Sequence, residues 1–141
     1  MYTRDYVLRL IERFGRALIA LRNRILGRAI DTADLRAELR DIAQQAGLDL
    51  DVARSLDARM LLMWLAPTDE LAPPRFWLMA ELLYLEGLHA RETASGDQGR
   101  ADLERAYAVF SRLPPDWKAA EELASAGDRS LELRQLLGPP A

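Results

Sequence analysis

The sequence of 141 residues contains no cysteine and a single histidine, His89. The absence of cysteine excludes disulfides, thiolate-bound zinc, iron–sulfur clusters and cysteine nucleophiles. A single histidine excludes any site that needs two imidazoles from one chain. No glycine loop that could cradle a phosphate is present, because the Gly-x-x-Gly of Gly96 to Gly99 has no lysine after it and no predicted strand before it. We therefore predict a protein that is not an enzyme and holds neither a cofactor nor a metal.

Long apolar runs are missing as well. The longest one extends only from Met60 to Ala66, whereas a membrane-spanning helix needs roughly 20 apolar residues. Arginines interrupt every apolar stretch near the N-terminus, so the uninterrupted core of a secretory signal is not found there. These two features predict a protein without a membrane span that stays in the cytoplasm.

Half of the residues are hydrophobic and 29% are charged, which is too apolar a composition for a disordered chain. A length of 141 residues fits one domain, and we predict that this domain spans residues 1–141. Apolar residues recur at helical spacing, short polar turns separate the periodic segments, and no segment alternates like a strand. We predict an all-α fold of six or seven helices arranged as antiparallel hairpins. The predicted helices run from Tyr6 to Leu26, from Asp31 or Thr32 to Ala46, from Asp49 or Asp51 to Leu65, from Arg75 to Ala94, from Ala101 to Leu113, from Trp117 to Ala126 and from Ser130 to Leu137.

The first predicted helix is long and amphipathic. Its apolar residues recur with spacings of 4, 3, 4, 3 and 4, which is a heptad pattern held for about three heptads. Gly15 lies in the middle of this helix, where a glycine often allows another element to approach closely. We predict that the stripe packs partly on the rest of the chain and partly on a second copy, which gives a homodimer. The residues of this predicted self-association surface are Val7, Ile11, Phe14, Leu18, Leu21 and Ile25.

Charge is unevenly divided along the chain. Residues 1–28 contain seven arginines against Asp5 and Glu12 and so carry +5; because the whole chain carries −3, the other 113 residues carry −8. A basic helix on an acidic body suits a solvated or internally paired face, an acidic protein partner or an anionic membrane surface. We expect no nucleic-acid partner, because the acidic body would repel phosphates.

Two further groups of residues are candidate sites. Glu86-x-x-His89 places a carboxylate and an imidazole on one helix face, and Glu92 continues the row, so a metal-binding protein or enzyme using these residues is one alternative. The other candidate is a groove bordered by Trp64 and Trp77, which lie at helix ends around the proline-rich loop 67–74.

The segment from Arg75 to Pro115 resembles one tetratricopeptide-type unit, with an apolar helix, a Gly-Asp turn, a second helix and a proline. The resemblance implies a hairpin whose small residues let two helices approach closely. The flanking segments 32–66 and 116–137 are predicted to stack on it as degenerate hairpins. Within the unit from Arg75 to Pro115, the helix contact positions are Gly87, Gly99, Leu103 and Ala106. Leu83 and Ala90 stand at the positions where the family has Trp and Tyr.

The chain is also similar to a family of small bacterial helical proteins of unknown function. The similarity lies in Asp5-Tyr6, Arg9, Ile11-Glu12, Glu81-Leu82-Leu83-Tyr84 and Gly96-Asp97. Because the function of that family is unknown, the similarity implies no catalytic or binding residue in this chain. The sequence as a whole favours a non-catalytic protein-interaction or scaffold module that self-associates through its first helix, with a membrane-surface adaptor as the alternative.

Overall fold

The computed structural model of the chain describes residues 4–65, 72–93 and 96–138, with side chains for 9–65, 73–93 and 99–138. Within these residues the regular structure is entirely α-helical, with seven helices and no strand, which confirms the predicted all-α class. None of the described helices is long and apolar enough to cross a membrane. The helices are α1 (Arg4–Leu26), α2 (Thr32–Gln45), α3 (Leu50–Ser55), α4 (Ala58–Leu65), α5 (Ala72–Glu92), α6 (Gly96–Phe110) and α7 (Ala126–Leu137).

Local chemistry explains where the helices begin and end. The Asp31 side chain accepts a hydrogen bond from the Asp34 amide at 2.8 Å and so caps α2. Such a cap satisfies one of the amides that have no partner in the first turn. At the other end of α2, Gly47 has a φ of +72°, a left-handed conformation that glycine adopts without strain. Both ends of α2 therefore lie where the sequence predicts them.

The predicted third helix is two helices in the structure. Leu56 is extended, with φ −98° and ψ 148°, and ends α3. Asp57 follows, and its side chain accepts a hydrogen bond from the Met60 amide at 2.8 Å. An aspartate with this geometry is a helix cap, so α4 starts anew and can point in a direction of its own.

The prediction of a helix from Trp117 to Ala126 is wrong. Residues 117–125 are not helical and contain turns and bends, tied together by bonds from the Trp117 amide to the Pro114 carbonyl and from the Ala126 amide to the Trp117 carbonyl, at 3.0 and 2.9 Å. Ser125 accepts a hydrogen bond from the Asp128 amide and so starts α7 four residues earlier than predicted. At the predicted polar turn before α6, Gly96 to Gly99 are already helical.

Helix α5 is the centre of the fold. All of its residues from Trp77 to His89 are buried. Helices α1, α2, α3 and α6 contact α5, and α4 and α7 contact α6. A Cβ built on Gly99 would lie 3.1 Å from Ala90 Cβ, and one built on Gly87 would lie 2.7 Å from Leu103, so α5 and α6 run antiparallel and nearly touch at the two glycines.

The apolar stripe of α1 faces the inside of the single chain. Five of its six residues are only 1–4% exposed, and the side chain of Val7 lies outside the described residues. Gly15 admits Leu123, whose Cδ1 would be 2.8 Å from an added Cβ. The predicted self-association surface is therefore covered within one chain, and a second copy could reach these side chains only if α1 left the body. The buried residues are Ile11, Phe14, Leu18, Leu21 and Ile25.

Candidate functional site

Several ionisable side chains lie inside the helical core. Helix α5 buries Glu81, Glu86 and His89, and α6 buries Asp102. Burying a charge costs a large free energy unless the charge is paired, so each of these groups needs a partner. The partners of Glu81, Glu86 and Asp102 divide these three groups into two clusters, whereas His89 lies beside the Ile30 carbonyl oxygen.

The first cluster, Arg54, Glu86, Asp102 and Arg105, joins α3, α5 and α6. Asp102 is 1% exposed and accepts hydrogen bonds from Arg54 Nε and Nη2, at 3.2 and 3.1 Å, and from Arg105 Nη1 at 3.2 Å. Arg105 Nε also donates to the Leu56 carbonyl at 2.6 Å, at the break between α3 and α4. A forked guanidinium–carboxylate pair of this kind fixes orientation as well as charge.

Glu86 has a looser partner than Asp102. Its nearest cationic atom is Arg54 Nη1 at 4.0 Å. Burial raises the pKa of the Glu86 carboxyl, and the Arg54 charge only partly offsets this effect. The neutral form of Glu86 is therefore favoured more in the folded chain than in the unfolded chain.

Replacing Glu86 by glutamine is expected to make stability less dependent on pH. Because its pKa is raised in the folded chain, Glu86 contributes stability below the pKa of the unfolded chain, and that contribution is lost as pH rises through the folded pKa. Glutamine is neutral throughout. We therefore compare the free energy of unfolding of Glu86→Gln with that of the wild type in urea titrations. The difference, variant minus wild type, should be larger at pH 8 than at pH 5. An equal difference at both pH values would contradict the raised pKa.

The predicted metal alternative finds no support in this geometry. His89 Nε2 lies 3.3 Å from the Ile30 carbonyl oxygen, and Glu92 pairs with Arg28 at 3.9 Å. Glu86 lies beside the Arg54 guanidinium, which would oppose a metal cation. Across the part of the chain that the structure describes, no three carboxylate or imidazole groups are placed to share a metal ion.

The second cluster joins α1, α5 and α7. Arg129 Nε donates to Glu81 at 3.0 Å, and its guanidinium carbon lies 4.4 Å from the centre of the Tyr84 ring. The Tyr84 hydroxyl donates to Glu132 and accepts from Arg22 Nε at 2.9 Å. Burial, with the bond to Glu132, raises the pKa of Tyr84 to about 12. Tyr84 therefore stays a hydrogen-bond donor at neutral pH.

The surface of α4 exposes three large apolar side chains. Met60, Met63 and Trp64 are 48%, 65% and 43% exposed, and their spacing of i, i+3 and i+4 puts them on one side of the helix. We call these three residues the α4 face. The opposite side of α4 is held in place by Leu61 and Leu65, which are buried.

The two tryptophans of the predicted groove lie in different environments. Trp64 is on the α4 face, whereas Trp77 is 2% exposed and packs against Trp117 with ring centres 6.3 Å apart. Trp77 is therefore a core residue and does not border an open groove. Most of the loop 67–74 between them lies outside the described residues.

The arginines of α1 differ in their contacts and in their exposure. Arg22 bonds to Tyr84, and Arg24 pairs with Glu38 at 3.2 Å. Arg9, Arg13 and Arg16 are exposed, at spacings that place them on one side of α1. The side chain of Arg4 lies outside the described residues.

Comparison of the chain with protein-family models, with curated proteins and with solved structures finds no match. The resemblances to tetratricopeptide units and to a bacterial helical family therefore stay predictions.

Proposed function

We propose that the protein is a non-catalytic interaction or scaffold module that self-associates, and that the α4 face is its contact surface. The observation that supports this function is the exposure of Met60, Met63 and Trp64 side by side on a helix whose other side is buried. The α1 stripe stabilises the single chain, so it is not the contact surface in this proposal. The buried ionic clusters are paired within the chain and are not part of this contact surface.

The residue types of the α4 face suit a contact surface. Tryptophan is enriched among the residues that dominate binding energy, and methionine adapts its shape to a partner. Covering the exposed half of the three side chains removes roughly 300 Å² per copy from water, or about 600 Å² for a symmetric pair. At about 25 cal/mol per Å² this contributes about 15 kcal/mol. Association itself costs about 4–15 kcal/mol. Because the buried area is only about half of the roughly 1,200 Å² at the low end of stable interfaces, we expect a weak dimer.

Sedimentation velocity of the purified chain between 5 and 200 µM tests the proposal. We expect the wild type to shift from monomer to dimer with concentration, and Met63→Glu to weaken the dimer at least tenfold, because a carboxylate would be buried without a partner. Leu131→Glu is the matched control, since Leu131 is 56% exposed but lies on α7. A wild type that stays monomeric, or equal weakening by both variants, would rule out the α4 face as a self-association surface.

A membrane-surface adaptor is a second candidate, favoured by the exposed Arg9, Arg13 and Arg16 on α1. Arginines on one helix side attract anionic lipids, and salt screens that attraction. Co-sedimentation with phosphatidylserine vesicles, compared with phosphatidylcholine vesicles, tests this function. Binding to the anionic vesicles that is lost in 0.5 M salt and in Arg13→Glu would support it, and equal behaviour with both lipids would contradict it.

A further inference from the structure

Helix α7 is attached to the rest of the chain mainly by polar contacts. Only Ala126 and Leu133 are buried among its twelve residues, whereas α5 buries every residue from Trp77 to His89. Leu136 and Leu137 add partly buried contacts at its end. Fewer apolar side chains therefore hold α7 in place than hold α5.

The first half of α7 is held by the second ionic cluster. Arg129 bonds to Glu81 of α5, and Glu132 accepts a hydrogen bond from Tyr84 and lies 3.7 Å from Arg22 of α1. Arg129 and Glu132 also bond to each other at 2.9 Å, so the helix presents a preformed pair to α5.

The second half of α7 is held by arginines of the α5–α6 hairpin. Arg91 and Arg100 donate to the Leu136 and Leu137 carbonyl oxygens, at 2.6 and 2.8 Å. The last carbonyls of a helix have no partner within the helix, so these guanidiniums satisfy them from outside. Arg134 completes the set by donating to the Tyr107 hydroxyl at 2.9 Å.

We propose that α7 is a detachable helix seated on a surface formed mainly by α5 and α6 with Arg22 of α1, and that a partner helix with arginine and glutamate at the spacing of Arg129, Glu132 and Arg134 can take its place. Polar contacts of this kind give orientation and specificity, but water replaces them at a modest net cost when they open. Helices α1, α2, α3 and α6 all contact α5, so most of the cover of the apolar core does not come from α7. The surface under α7 is separate from the α4 face, so the two proposals succeed or fail independently.

A peptide spanning residues 124–138 is the probe for the surface under α7. In the full chain, Glu132→Gln with Arg134→Ala weakens the attachment of α7 but leaves α5 and α6 unchanged. We expect this variant to bind the fluorescently labelled wild-type peptide at least tenfold more tightly than the wild-type chain does, because its own α7 competes less well. A control peptide with the same two substitutions should bind the variant at least tenfold more weakly than the wild-type peptide.

Hydrogen–deuterium exchange of the wild-type chain checks the detachment of α7 without any substitution. The amides of α7 should exchange through a local opening, faster than those of α5 and α6, and the variant should accelerate α7 at least tenfold more than α5. Circular dichroism establishes whether the variant is folded. If the variant is unfolded, the hydrogen–deuterium exchange of α7 in the wild-type chain tests the proposal by itself. Equal binding of both peptides, or exchange of α7 only together with α5 and α6, would overturn the proposal.

Discussion

Gly87→Val is expected to lower the free energy of unfolding by about 3 kcal/mol, because it forces α5 and α6 apart. A Cβ at this position would lie 2.7 Å from Leu103 Cγ and 2.9 Å from the Gly99 carbonyl oxygen. The carbonyl belongs to the backbone of α6, so it cannot turn aside as a side chain could. Gly87→Ala should lie between the wild type and Gly87→Val in urea denaturation followed by circular dichroism.

Gly15→Ala is the matched control for Gly87→Ala, since both place the same methyl group in the middle of a helix. The atom that its Cβ would approach most closely is Leu123 Cδ1, at 2.8 Å, the end of a side chain that can rotate away. Alanine also favours a helix over glycine by about 1 kcal/mol. Gly15→Ala should therefore stay within about 1 kcal/mol of the wild type. Equal losses in the two alanine variants would mean that the helix contact at Gly87 is not the cause.

This contact shows how far sequence reasoning reaches for this chain. The small residues Gly87 and Gly99 predict a close helix contact, and the structure places them together. Helix ends marked by local chemistry, such as the Asp31 cap and Gly47, are also predictable, because the atoms involved are a few residues apart.

The errors arise where distant residues decide the local conformation. The segment 117–126 has helical spacing, yet residues 117–125 contain turns and bends, and Leu123 packs against Gly15 of α1. The α1 stripe predicts an apolar contact but not which element covers it, because a core and a dimer interface need the same pattern. Asp57 is an acceptable helix residue as well as a cap, so the break between α3 and α4 is not evident in the sequence.

The candidate site was less predictable than the fold. Glu81 and Glu86 stand in a highly apolar helix, which indicates buried charge. Their partners cannot be inferred, because Arg129 lies 48 residues from Glu81 and nothing in the local sequence links the two. The first cluster cannot be inferred from the sequence for the same reason, since Arg54 and Asp102 are also 48 residues apart.

Arg54→Met is expected to lower the free energy of unfolding by about 3–5 kcal/mol, the typical effect of removing one partner from a buried ion pair. The Arg54 side chain is only 15% exposed, and it lies between Asp102 and Glu86. Methionine fills much of the same volume without the charge, so the loss measures Glu86 without a close cation and Asp102 with Arg105 as its remaining partner. Urea denaturation at pH 7 measures it, with Arg40→Met as the control.

The control and a second variant separate buried charge from lost packing. Arg40 and Asp51 are 56% and 61% exposed, so Arg40→Met should cost at most about 1 kcal/mol. Asp102→Asn should cost less than Arg54→Met, because Arg54 can then turn towards Glu86, whereas loss of Arg54 leaves Glu86 without a close cation. The cost of Arg54→Met should also depend on pH. At pH 5 this cost should be smaller than at pH 7, since the raised pKa of Glu86 lets that carboxyl take up a proton. A cost that is independent of pH and equal to that of Arg40→Met would show that the cluster contributes packing alone.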